Sequence, residues 1–254
     1  MLRVLRGVWA AFNGFWLGVL SRSALEAVDD LYYTGRGDRQ YSSVNYSDPT
    51  YNERGLYSWE QDIIATHFDP PGPIGVAGAG GGREVLALRR LGYTVDGWEC
   101  QKQFVESANE LLVRHGFEGT VSWAPKNQIG DSTGPYNGFI VGWGMYTLIH
   151  TRAERVALLR MIRSRMNDGA PLLISYFFRG PSNRTYELTA MTANVIRRAT
   201  LRPPVALGDS LEPNLVHYFT HEELSAELAA GGFHPVLHRT QGYAHTVSLA
   251  VTGS

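Results

Sequence analysis

From Pro73 onward, short apolar runs alternate with helix-length amphipathic segments, and that rhythm restricts the chain to βα units around a mainly parallel sheet. Strands are predicted at residues 74–77, 94–99, 119–124, 138–142 and 171–177, with helices between them. The rhythm breaks for an insertion at residues 179–215 and resumes with a helix at 221–230. Two closing strands, 234–240 and 245–251, are separated only by residues 241–244. So short a connection permits antiparallel pairing and leaves no room for a crossover helix. The 254 residues suffice for one large α/β domain with an appended segment.

The first strand runs directly into Gly78-Ala79-Gly80-Gly81-Gly82, after which Val85, Leu86, Leu88 and Leu91 have helical spacing. Glycines at a strand-to-helix turn let the backbone bend sharply and approach a ligand at the positive end of the helix. Such turns also arise for steric reasons alone, so the surroundings must decide. Glu99 closes the next strand, 21 residues beyond Gly78 (99 − 78). A carboxylate there can accept hydrogen bonds from both hydroxyls of a ribose. Arg83 stands where the dinucleotide fingerprint G-x-G-x-x-G needs its third glycine, which counts against NAD and FAD.

Further blocks follow in order: Tyr136-Asn137-Gly138-Phe139-Ile140-Val141, a helix over residues 152–166, Asn167-Asp168-Gly169-Ala170-Pro171-Leu172-Leu173-Ile174, residues 217–224, and Ala230-Gly231-Gly232-Phe233. Over residues 73–253 this set resembles the class I methyltransferases that use S-adenosylmethionine, with Asn137 where that family often has Asp. The resemblance implies an α/β, Rossmann-like three-layer sandwich. Its sheet is mainly parallel and seven-stranded, in the order 3-2-1-4-5-7-6, with an antiparallel last strand. It also implies S-adenosyl-L-methionine as cofactor, held by Gly78, Ala79, Gly80 and Gly82, by Glu99 with its neighbour Cys100, and by Asn127 and Gln128 near the adenine. Gly142 and Trp143 border the methionine portion. One position departs from the family: its usual acid two residues before the first glycine is Val76 here. Contact with the methionine amino group then falls to Glu84 or Glu60.

Methyl transfer is an in-line displacement at an activated carbon, so alignment and exclusion of water matter most, and no metal is required. For a hydroxyl acceptor the candidate bases are His150, after the fourth strand, and His217, before the last helix. Each also has a bland reading, as a helix-flanking or hydrogen-bonded core residue. Gly142-Trp143-Gly144-Met145 lacks the Asn/Asp-Pro-Pro-aromatic motif that resembles enzymes methylating planar amino groups. Asp69-Pro70-Pro71 lies before the first strand and reads as an entry turn. Tyr33, Tyr57, Tyr146 and Tyr176 are the expected walls of a partly apolar pocket for a small organic acceptor, with oxygen the favoured methyl-accepting atom. The rival readings are an NAD(P)-dependent oxidoreductase and a non-catalytic binding or scaffold protein that keeps the fold.

A net charge of −1 gives no electrostatic footprint for nucleic acid. The single cysteine, Cys100, allows no intrachain disulfide and suits the cytoplasm. Residues 1–60 are expected to form a helical and aromatic lid on a domain spanning 61–254; residues 34–54 read as loop, within a stretch rich in tyrosine. Within that lid, Arg3 and Arg6 precede an apolar stretch at residues 7–20, too short to span a bilayer. Three readings stay open for it. It can be a helix that packs Val4, Val8, Phe12, Phe15 and Val19 on the domain, a secretory signal ending at Ser21-Arg22-Ser23, or a helix lying on a membrane surface through residues 1–22.

Overall fold

A computed structural model of the chain describes residues 2–38, 46–131, 134–180 and 183–251, the side chains of 2–4 and 32–38 excepted. Four helices come first: α1 (Leu2–Val19), α2 (Arg22–Asp38), α3 (Pro49–Glu53) and α4 (Ser58–His67). The alternating part follows as β1 (Pro73–Ala77), α5 (Arg83–Arg90), β2 (Thr94–Glu99), α6 (Lys102–Arg114), β3 (Val121–Trp123), β4 (Gly138–Val141), α7 (Arg152–Arg163) and β5 (Pro171–Phe178). The chain ends with α8 (Arg184–Ala199), β6 (Asp209–Leu211), β7 (Leu215–Phe219), α9 (His221–Ala230), β8 (Phe233–Arg239) and β9 (Ala244–Ala250).

The seven strands expected from the sequence all form. Strands β3, β2, β1, β4 and β5 lie side by side in parallel, and β9 pairs antiparallel with both β5 and β8. With β8 and β9 as the sixth and seventh expected strands, the order is the 3-2-1-4-5-7-6 of the resemblance. A second ribbon is not foreseen by the sequence pattern. Strand β7 continues the sheet beside the last two residues of β5, Phe177↔Tyr218 and Phe178↔Phe219, and β6 pairs antiparallel with it.

Alternation along the strands splits the core into two layers. Val76, Ile140, Leu173 and Val247 face Ile63 and Ile64 of α4, Val85 and Leu88 of α5, and Leu111 and Leu112 of α6. Ala77, Phe139, Leu172 and Ile174 face Leu158 and Ile162 of α7 and Leu224 and Leu228 of α9. Trp98 lies parallel to Phe139, ring centroids 6.0 Å apart.

The N-terminal segment departs from expectation in two ways. First, the supposed loop is partly helical: α2 reaches Asp38, and Asp48 caps α3 by accepting the Thr50 amide ahead of Pro49. Second, α1 packs with the opposite face. Ala10, Asn13, Gly14 and Leu17 are buried, while Val8, Phe12 and Phe15 are exposed. Its neighbour is α8, in the insertion, which it approaches so closely that a Cβ on Gly14 would lie 2.4 Å from the Thr189 carbonyl oxygen. Large side chains cannot occupy that contact.

Candidate active site

The glycine turn is built from hydrogen bonds to the neighbouring strand. The amides of Gly78 and Ala79 both donate to the Trp98 carbonyl, at 2.8 and 3.0 Å. Gly80, at φ +52°, donates to Glu99 Oε2 at 3.0 Å, while Glu99 Oε1 accepts from the Gln101 amide at 2.9 Å. Two backbone donors therefore fix both oxygens of a nearly buried carboxylate and leave it further lone pairs. Gly142 presses against the turn from β4; a Cβ there would stand 2.3 Å from the Gly78 carbonyl oxygen.

This turn floors a cavity of about 440 Å³, within the range of sites that enclose small organic ligands. Gly78, Ala79, Gly80, Glu99, Cys100, Asn127, Gln128 and Trp143 all line it. Burial and the adjacent Glu99 carboxylate push the Cys100 thiol up to about 12, so it carries no thiolate at neutral pH. Gly142 shapes the turn from behind. Gly82 is better explained by helix packing: it opens α5 at φ +90° with its Cα turned to Ala108 of α6.

At the start of α5, Arg83 holds a buried ionic cluster. It donates to both oxygens of Glu60, at 2.6 and 2.8 Å, to Glu84 Oε1 at 2.5 Å and to the Gly55 carbonyl at 2.9 Å, and its guanidinium lies 4.4 Å over the Tyr57 ring. Burial pushes the Glu60 carboxyl up against the pull of Arg83. Of the two carboxylates considered as substitutes for an acid at Val76, Glu84 lines the cavity with Arg83, whereas Glu60 sits behind them. Val76 itself is sealed between sheet and helices.

Helix α2 closes the cavity from the other side through three side-chain contacts, two ion pairs and one carboxylate–imidazole hydrogen bond, all lining it. Asp29 meets His150 Nε2 at 2.5 Å, Asp30 meets Lys126 Nζ at 2.5 Å, and Arg22 pairs with Glu154. Tyr46, Tyr51 and Asn52 complete the wall; Asn52 donates to the Tyr46 carbonyl at 2.8 Å, and its buried Oδ1 has no partner among the described residues. Composition signals these rings through the tyrosine-rich segment, but nothing in it singles out Asp29, Asp30 or Asn52.

Other expected site residues lie elsewhere. His217 is a core residue of the added ribbon, its Nδ1 2.7 Å from Asp209 directly across the two strands, and it does not reach the cavity. Tyr146 is fully buried and donates to Glu227, which is held in turn by Arg155; burial and that carboxylate raise its phenol well above the ordinary value. Tyr176 packs edge-on to Phe219, its phenol pushed up to about 12 by burial. Neither phenol lines the cavity. Tyr57 stands one ring back, beside Tyr243, which packs edge-on to Trp143. The side chain of Tyr33 lies outside the described residues. No group of three or more His, Cys, Asp or Glu among the described residues is arranged to hold a metal ion.

Solved structures share this architecture. A methyltransferase from Methanosarcina mazei described as S-adenosylmethionine-dependent superposes with a TM-score of 0.61 at 16% identity, over 78% of this chain and 100% of that one. The Burkholderia thailandensis 1,6-didemethyltoxoflavin N1-methyltransferase, solved with its substrate and S-adenosylhomocysteine, superposes at 0.59 and 16% identity over 92% of each chain. The chain has the class I methyltransferase fold. The methyltransferase CcbJ from Streptomyces caelestis shares it at 0.57 and 14% identity, over 84% of this chain and 100% of that one. No protein-family model matches the sequence, and neither does any curated protein. Within this methyltransferase fold, β6 and β7 extend the sheet at the end of β5, and α8 provides the seat for α1.

Proposed function

We propose that the chain is an S-adenosylmethionine-dependent methyltransferase acting on a small organic acceptor, with oxygen as the favoured acceptor atom. The observation that carries this reading is Glu99, its carboxylate steered by the Gly80 amide at the edge of the glycine-floored cavity. The charge of the lining supports it. Six carboxylates (Glu26, Asp29, Asp30, Glu84, Glu99 and Glu154) face the cavity with three permanent cations, Arg22, Arg83 and Lys126. That excess suits a ligand whose sulfonium and ammonium together outweigh its one carboxylate. A dinucleotide pyrophosphate at the same helix start would meet Glu84 instead of an open anion site, which speaks against the oxidoreductase reading.

In this reading Glu99 holds the ribose hydroxyls, the backbone of Gly78 to Gly80 lies along the cofactor, Asn127 and Gln128 border the adenine, and Glu84 faces the ammonium. The bound cofactor supplies a methyl group on a sulfonium, ready for displacement. The chain then has to orient the acceptor, exclude water and receive a proton. His150 receives that proton. Asp29 fixes the imidazole through Nε2, so that Nδ1 takes the hydroxyl proton and Asp29 stabilises the resulting imidazolium.

Calorimetry with S-adenosylmethionine, S-adenosylhomocysteine and NAD tests the cofactor. Binding of the first two without NAD is expected, and binding of NAD alone would sink the reading. His150→Ala should lower kcat about 10²- to 10⁴-fold with cofactor affinity retained. An unchanged kcat would remove His150 as base and point to an acceptor that needs none.

A further inference from the structure

Helix α1 reverses the usual placement of side chains. Its inner face is mostly small, with Leu17 the one large side chain buried there: Ala10, Gly14 and Gly18, spaced by four, lie along Thr189, Ala193 and Ile196 of α8. Asn13 exchanges hydrogen bonds with the Leu211 backbone on β6, at 3.0 and 3.1 Å. Its outer face is large and apolar. Leu5, Val8, Trp9, Phe12, Phe15 and Trp16 are all exposed, from 40% for Trp16 to 63% for Val8. Phe12 and Phe15 each meet the Trp16 ring edge-on, so the outer face is a continuous aromatic surface and not a set of isolated side chains. In water, a contiguous apolar face of this size marks a contact with something else.

We infer that this face seats the protein on an anionic lipid bilayer, with α1 lying in the plane of the interface. Charge is what selects the partner. Arg3 and Arg6 lie in the first two turns of α1, and residues 1–25 contain no carboxylate. Two copies meeting through α1 would bring these arginines no counter-charge from the same segment, whereas phosphate-bearing headgroups supply it. Two tryptophans on the apolar arc match the depth at which indole rings settle, between acyl chains and headgroups. No helix among the described residues is long and apolar enough to cross a membrane, which fits an in-plane helix. The neighbouring α8 adds exposed Met191 and Val195 together with exposed Arg198.

The test is co-sedimentation of the full chain with vesicles of phosphatidylcholine alone or with about one third phosphatidylglycerol, at low and high salt. Wild type should bind the anionic vesicles at least about tenfold more tightly than the neutral ones and lose most of that preference at high salt. The double variant Phe12→Ser/Trp16→Ser should lose binding; because both side chains point away from α8, its thermal unfolding should match wild type. Arg3→Gln and Arg6→Gln should each weaken binding on the order of fivefold, the equivalent of roughly 1 kcal/mol per basic residue. Absence of binding, or equal binding to both vesicle types, overturns the inference. So does a stable dimer in light scattering that the double variant converts to monomer, because the face would then belong to a second copy.

Discussion

The two walls of the cavity are held by different physics. Its floor, the turn from Gly78 to Gly82 with Glu99, is tied by backbone amides to buried acceptors on the adjacent strand. Its roof, α2, is tied by side-chain contacts, two of them ion pairs through solvent-exposed side chains: Arg22 at 58%, Lys126 at 41% and Asp30 at 61% exposure. Backbone hydrogen bonds inside a sheet break only when the sheet opens, whereas exposed ion pairs contribute about 0–1 kcal/mol each and weaken in salt. Under the proposed function, the contrast separates a preformed cofactor wall from an adjustable acceptor wall. Asp29 and His150 are the exception within the roof, both nearly buried, and they are the pair proposed to handle the proton.

Three substitutions probe that contrast. Arg83→Met, at the start of α5 beside the floor, should have the largest effect, because Glu60 and Glu84 would remain buried without their counter-charge. A loss of about 3–5 kcal/mol in unfolding free energy is expected in denaturant titrations. A loss below about 1 kcal/mol would mean that the floor does not depend on the cluster. Glu99→Ala should leave the fold intact and weaken S-adenosylmethionine binding by about 1–3 kcal/mol in calorimetry, through lost ribose hydrogen bonds. Unchanged affinity would show that the ribose is misplaced. Asp30→Asn should matter least: below about 1 kcal/mol in stability, with a change in acceptor KM that disappears at high salt. If Asp30→Asn impaired cofactor binding as much as Glu99→Ala, the division into a fixed and an adjustable wall would fail.

The parts of this arrangement that are legible in the sequence are those set by local spacing. Glycines at a strand end, an acid at the end of the next strand and a four-residue link between the last strands each dictate backbone geometry within one βα unit or hairpin. Eight of the expected cofactor residues consequently line one cavity. Residues whose surroundings come from distant sequence are not legible. His217 reads as available until Asp209 is placed across the ribbon, and Tyr146 until Glu227 arrives from α9. Asp29 carries no signal because its partner, His150, lies 121 residues away. Periodicity identifies the apolar stripe of α1 correctly, but it assumes that such a stripe faces the core. The steric demand of α8 selects the glycine face, a choice that depends on an insertion far along the chain.

The Arg83 cluster also bears on how this turn can change over time. Restoring the missing glycine of a dinucleotide fingerprint takes one substitution on paper, Arg83→Gly. In this protein it would strip two buried carboxylates of their shared cation and remove a ring contact to Tyr57. Replacing Glu84 first would leave a balanced Arg83–Glu60 pair, but removing that pair in either order passes through an uncompensated buried charge. The cluster thus opposes conversion of this turn by a single substitution toward a different nucleotide.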